Sequence, residues 1–96
     1  MLLDEPAAGL DVGGREKLVA RLDELAKDPA SPAVVMVTHH LEEVPDGFTH
    51  AMLLREGQVV AAGPVAQVMT QKNLSETFNV PLKLVKVGDR YAAFAR

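Results

Sequence analysis

The sequence predicts an α/β domain in which two parallel strands flank a helix and antiparallel hairpins follow. Two continuous apolar runs, Met1 to Asp4 and Ala33 to Thr38, bracket a stretch of helical periodicity, which makes one strand-helix-strand crossover. Further on, two pairs of strand-like runs meet at the turns Arg55-Glu56-Gly57 and Gly88-Asp89.

Each element has its own local reason. Met1 to Asp4 reads as a strand covered on both faces, because its apolar run does not alternate. Asp11 is placed to cap a helix over Val12 to Lys27, with Leu18, Leu22, Leu25 and Ala26 on one face. Asp23 and Lys27 stand one turn apart in the favourable order. Pro29 and Pro32 break the helix, and Val-Val-Met-Val within Ala33 to Thr38 is the second strand. His40 to Val44 reads as a short helix stopped by Pro45-Asp46-Gly47. A hairpin of His50 to Leu54 with Gln58 to Ala62 turns at Gly57, which supplies a positive φ. Gly63-Pro64 opens a helix to about Thr70, and Asn73 caps another through Phe78. Leu82 to Val87 and Arg90 to Ala95 form the last hairpin, so residues 82–96 are expected as a small appendage.

Composition narrows the function classes. With 48% apolar and 24% charged residues the chain has ordinary globular composition, but aromatics are only 4%, so the core must come from Leu, Val, Ala and Met. A net charge of −3 without a basic run argues against a nucleic-acid surface, and no nucleic-acid partner is expected. The absence of cysteine excludes disulfide scaffolds and thiolate metal sites. No apolar stretch reaches the length of a membrane span.

The chemistry-bearing residues gather at strand ends. Asp4 and Glu5 close the first strand, where α/β folds bind ligands, and adjacent carboxylates there suit one contact to a metal-bound water and one to an attacking water. Taken alone, Asp4-Glu5-Pro6 reads equally well as a solvated strand tip. His39 ends the second strand on the same sheet edge, and a lone histidine there is ordinarily structural. His40 and His50 lack the further ligands of a metal site. Glu42 and Glu43 read as solvated acids in a first helical turn, and Lys83 and Lys86 make no basic patch.

Order and spacing join these pieces. Met1-Leu2-Leu3-Asp4-Glu5, then Ala8-Gly9-Leu10-Asp11, then Thr38-His39 after a helix and a strand, resemble the Walker B strand, D-loop and switch histidine of the nucleotide-binding domain of ATP-binding cassette (ABC) proteins. The likeness runs from Met1 to about Phe78, and His-His-x-Glu-Glu is similar to a subset of bacterial ABC ATPases of the molybdate-transport type. Neither a G-x-x-x-x-G-K-S/T phosphate loop nor a Leu-Ser-Gly-Gly signature occurs, so residues 1–96 are expected as the C-terminal portion of a phosphate-loop-type NTPase domain.

The resemblance implies ATP hydrolysis with Mg²⁺ by a dimeric ATP-binding subunit of a transporter. Glu5 would polarise water, Asp4 would hold Mg²⁺ through water, and His39, not His40, would contact the γ-phosphate. Ala8, Gly9, Leu10 and Asp11 would face the second ATPase subunit, and Ala8 stands where the family often has Ser. A membrane permease is the other implied partner, which puts the protein in the cytoplasm at the inner face of the membrane. This chain alone is expected to be inactive. The alternatives are a soluble ABC ATPase outside transport and a truncated, non-catalytic remnant.

Overall fold

A computed structural model describes all of residues 1–96. Strand β1 (Leu2–Asp4) leads into helix α1 (Val12–Lys27), which returns the chain to β2 (Val35–Val37), parallel to β1 with Leu2 opposite Val35 and Asp4 opposite Val37. A 3₁₀ turn, Leu41–Glu43, then precedes the hairpin β3 (His50–Arg55) and β4 (Gln58–Pro64). Helices α2 (Val65–Val68) and α3 (Gln71–Phe78) and the hairpin β5 (Leu82–Val87) with β6 (Arg90–Ala95) complete the chain. The strands form three separate two-stranded sheets.

Helix α1 starts where Asp11 places it, the Asp11 carboxylate accepting from the Gly14 amide at 2.7 Å. At its other end Lys27 reaches Asp23 at 3.0 Å and Asp46 at 3.2 Å, while Asp23 also accepts from the Gly47 amide at 2.6 Å. Glycine suits position 47, because a Cβ there would lie only 3.0 Å from both Asp23 Oδ1 and Lys27 Cγ, and those side chains would have to shift. The β3–β4 hairpin turns on Glu56 (φ 51°) and Gly57 (φ 77°), two left-handed residues as a tight two-residue turn demands.

The core lies in the second half of the chain. Leu41, Leu53, Val68, Met69 and Leu74 are buried together, with Leu84, Tyr91 and Ala93 of the last hairpin packed against them. Residues 82–95 therefore close one side of this core. Phe78 and Phe94 are exposed, so aliphatic side chains and Met69 dominate the interior, as the low aromatic content requires.

Four local expectations need correction. The β1–β2 pair is not covered on its faces: Leu2 is 71% exposed, and Val35 and Val37 are open to solvent, because a two-stranded sheet has no neighbouring strands or second helix layer to bury it. On α1 the buried residues are Val19 and Leu22, whereas Leu25 is exposed. Gly63 and Pro64 extend β4, with the Val65 amide bonded to the Thr49 carbonyl at 3.0 Å, and α2 is a single turn. The cap of α3 is Thr70, whose hydroxyl accepts from the Asn73 amide at 3.1 Å; Asn73 sits inside the first turn and donates to the Val68 carbonyl.

Two carboxylates tie the fold to pH. The hydrogen bonds from Arg90, followed by those from Arg15, hold Glu16 below its ordinary value despite partial burial. Burial pushes Asp23 upward, but the hydrogen bonds from the Lys27 ammonium and the Gly47 amide outweigh it and leave the group lowered. A lowered folded-state pKa contributes stability that is complete above the ordinary carboxylate range of about 4 and is lost as pH falls through the folded-state values. Urea denaturation at successive pH values is expected to show this acid loss, and Asp23→Asn with Glu16→Gln is expected to flatten it. An unchanged slope in the double variant would remove these two groups from the account.

Candidate functional site

The site is built where β1 and β2 end side by side. The ladder runs one residue past β1, the Glu5 amide donating to the Val37 carbonyl at 2.8 Å, and there the chain swings into left-handed backbone at Glu5 (φ 51°). A residue that precedes proline and carries a Cβ rarely adopts this conformation. The swing turns the chain out of the sheet, and two turns follow: the Ala8 amide bonds to the Glu5 carbonyl at 3.1 Å and the Leu10 amide to the Ala7 carbonyl at 3.1 Å. Gly9 (φ 81°) lets the second turn close. Ala7 is buried beneath this loop, while Ala8, Gly9, Leu10 and Asp11 all face solvent.

Glu5 and His39 converge across the gap between the strand ends. His39 Nε2 stands 3.3 Å from Glu5 Oε1, with the His39 side chain 78% exposed and that of Glu5 30% exposed. Glu5 Oε1 is itself enclosed and takes no hydrogen bond from the protein. Asp4 stands exposed beside it at the end of β1, in register with Val37. His40 departs from the pair: its Nδ1 lies 3.8 Å from Glu42 Oε1, and its amide donates to the Thr38 hydroxyl at 3.1 Å. No group of three or more His, Asp or Glu side chains gathers as a direct metal site.

The turn that carries His39 is fastened by residues that sequence reasoning assigned no role. Glu43 is 4% exposed, not solvated, and accepts from the Thr38 hydroxyl across the base of the turn. Its burial follows from its neighbours, since Leu41 enters the core on one side and Pro45 is enclosed on the other. Arg90, at the start of β6, donates to both carboxylate oxygens of Glu16 at 2.8 and 3.1 Å and also to the Glu42 carbonyl. The hydrogen bonds to Glu16 raise the Arg90 pKa above its ordinary value. Arg15 adds contacts to Glu16 at 3.3 Å and to Glu42 at 3.9 Å. A local pattern could have hinted at Glu43, an acid between the apolar Leu41 and Val44, but nothing near Arg90 announces a partner 74 positions away.

Two shallow clefts adjoin this cluster. One, of about 340 Å³, is lined by Arg15, Glu16, Glu42, Val87, Arg90 and Tyr91. The other, of about 290 Å³, runs from His39 and His40 to Phe78, Val80 and Leu82. The first is walled by the ion pairs themselves, and the second is open beside both histidines.

Comparison with known proteins gives a consistent picture. The chain is 36% identical over 90 residues to an ABC transporter ATP-binding protein of Streptococcus mutans, spanning 94% of this chain and 35% of that protein. It is 36% identical over 95 residues to the vitamin B12 import ATP-binding protein BtuD of Vibrio vulnificus, with 98% and 37% covered. It is 39% identical over 74 residues to the molybdenum import ATP-binding protein ModC of Aromatoleum aromaticum, with 77% and 19% covered. The chain thus spans roughly a third of the length of the first two relatives. Among solved structures, a metal-chelate-type ABC transporter in an inward-facing conformation superposes with a TM-score of 0.76 at 20% identity, over 99% of this chain and 39% of that one, which shows a shared fold. No protein-family model matches.

Proposed function

Since the chain belongs to the ABC transporter ATP-binding proteins, of which it spans about a third, we propose that it supplies the hydrolytic edge of an ATPase site. Residues 1–96 correspond in this reading to the portion of the domain from the Walker B strand onward. The phosphate loop and signature come from segments outside it. The observation that carries the reading is the approach of Glu5 and His39 to 3.3 Å at paired strand ends, with Asp4 adjacent.

The residues divide the work by position. The Glu5 carboxylate, on a side chain 30% exposed, accepts a hydrogen bond from the attacking water and aligns it. His39 Nε2, at the mouth of the site, contacts the γ-phosphate and keeps the water between phosphate and carboxylate. Asp4, an exposed carboxylate at the end of β1, would hold Mg²⁺ through a shell water, an arrangement that a reluctantly dehydrated ion tolerates. When bound, Mg²⁺ offsets negative charge on the terminal phosphates. The exposed loop Ala8 to Asp11 presents its backbone to the second ATPase subunit.

In this reading the partners are that second subunit and a membrane permease, and the chain works at the cytoplasmic face of the membrane. No helix of the chain is long and apolar enough to cross a membrane, so the permease provides the attachment.

The test compares histidines and acids in a complete ABC ATP-binding protein carrying this segment. His39→Ala is expected to lower ATP turnover much more than His40→Ala, because only the first ring approaches Glu5 while the second faces Glu42. Asp4→Asn is expected to weaken Mg²⁺-dependent ATP binding as well. Equal losses at the two histidines, or a greater one at His40, would show that the register is wrong.

A further inference from the structure

We propose that Arg90 is a positioning residue that holds the His39 turn against helix α1. The inference rests on the reading of His39 as the γ-phosphate contact and adds a remote residue to that site. Three elements meet at its guanidinium. Nη1 and Nη2 engage Glu16 on the helix that follows the Ala8–Asp11 loop, Nη2 also engages the Glu42 carbonyl two residues after His40, and the side chain itself issues from β6.

The geometry distinguishes this from simple packing. A fork with two parallel N–H groups fixes direction as well as distance, which an ammonium or an alkyl chain does not do. Arg90 Nε is enclosed without an acceptor, an unfavourable feature that an apolar side chain in the same space would avoid. The second fastening of the turn, Thr38 to Glu43 with the His40 amide on the same hydroxyl, closes its base but leaves Glu42 to be located from outside. Arg90 does this, and so it links the helix of the subunit-facing loop to the turn of the phosphate-sensing histidine.

The test is amide hydrogen exchange on the ¹⁵N-labelled full chain without nucleotide, so its outcome does not depend on whether His39 meets a phosphate. The reporting amides are Glu43 and Val44, bonded to the His40 and Leu41 carbonyls at 3.1 Å; the references are Leu74 in α3 and the β3–β4 ladder. Arg90→Gln is expected to speed exchange at the turn roughly tenfold or more while the references stay within about twofold. Glu16→Gln, on an exposed helix face, is expected to reproduce the effect in weaker form and serves if Arg90→Gln does not fold. Arg90→Lys keeps the charge but cannot span Glu16 and the Glu42 carbonyl together, so the turn is expected to stay fast. Uniform acceleration across the molecule, no change at the turn, or full protection in Arg90→Lys would each overturn the proposal. In a complete protein carrying this segment, Arg90→Gln is expected to lower kcat at unchanged KM for ATP; unchanged kcat with a loosened turn would refute the link to His39, whereas the His39→Ala assay alone decides the phosphate contact.

Discussion

Glu5→Gln, in a complete ABC ATP-binding protein carrying this segment, is expected to abolish ATP turnover while leaving ATP binding intact. Glutamine keeps the shape of the side chain and its place beside His39, but the group loses its negative charge. In the proposed role a carboxylate there aligns water and draws on its proton, a contribution of about 10²- to 10⁴-fold to rate. Binding rests on other groups: the phosphate cradle lies outside the chain, and Asp4 and His39 are untouched. Steady-state ATPase assays with a parallel nucleotide-binding measurement check this, and a variant that retains most of its turnover would remove Glu5 from the reaction.

The 96-residue chain by itself is expected to show no ATPase activity and to bind ATP with Mg²⁺ no more tightly than the millimolar range, about −4 kcal/mol. The triphosphate would meet the Asp4 and Glu5 carboxylates and the exposed imidazole of His39. No phosphate-loop lysine and no nest of backbone amides stands at this edge to balance that charge. The open β1–β2 pair, with Leu2, Val35 and Val37 exposed, adds a tendency to associate. Isothermal titration of the purified chain is decisive, and saturable micromolar binding would mean that these residues build a site without the missing cradle.

Much of the fold was legible because its signals are local. Asp11 caps α1, the turns fall at Gly57 and Gly88, and β5 and β6 run over the expected residues, since each depends on neighbours within a few positions. The closeness of Glu5 and His39 was also within reach, because a parallel crossover with matched strand ends leaves them side by side. Burial was harder to read. An unbroken apolar run says that a strand prefers cover, not that the chain contains the layer to provide it, and Leu2 and Val35 remain exposed for that reason. Arg90 and Glu16 show the other limit: either residue alone looks like a surface charge, and only the arrival of β6 against α1 makes them a pair.

The left-handed backbone at Glu5 sets the demands of the fold against those of the chemistry. At Glu56 and Asn79 the same conformation closes a hairpin and ends a helix, places where the chain geometry asks for it. At position 5 the turn out of the sheet asks for a residue without a Cβ, and glutamate there costs roughly 1–2 kcal/mol. That is a noticeable part of the total for a domain, whose margin is on the order of 5–15 kcal/mol. Glycine would make the more relaxed loop, but it would carry no carboxylate. Under the proposed role, the backbone is therefore least at ease at the residue assigned to the water, and folding stability and turnover place opposite preferences on one side chain.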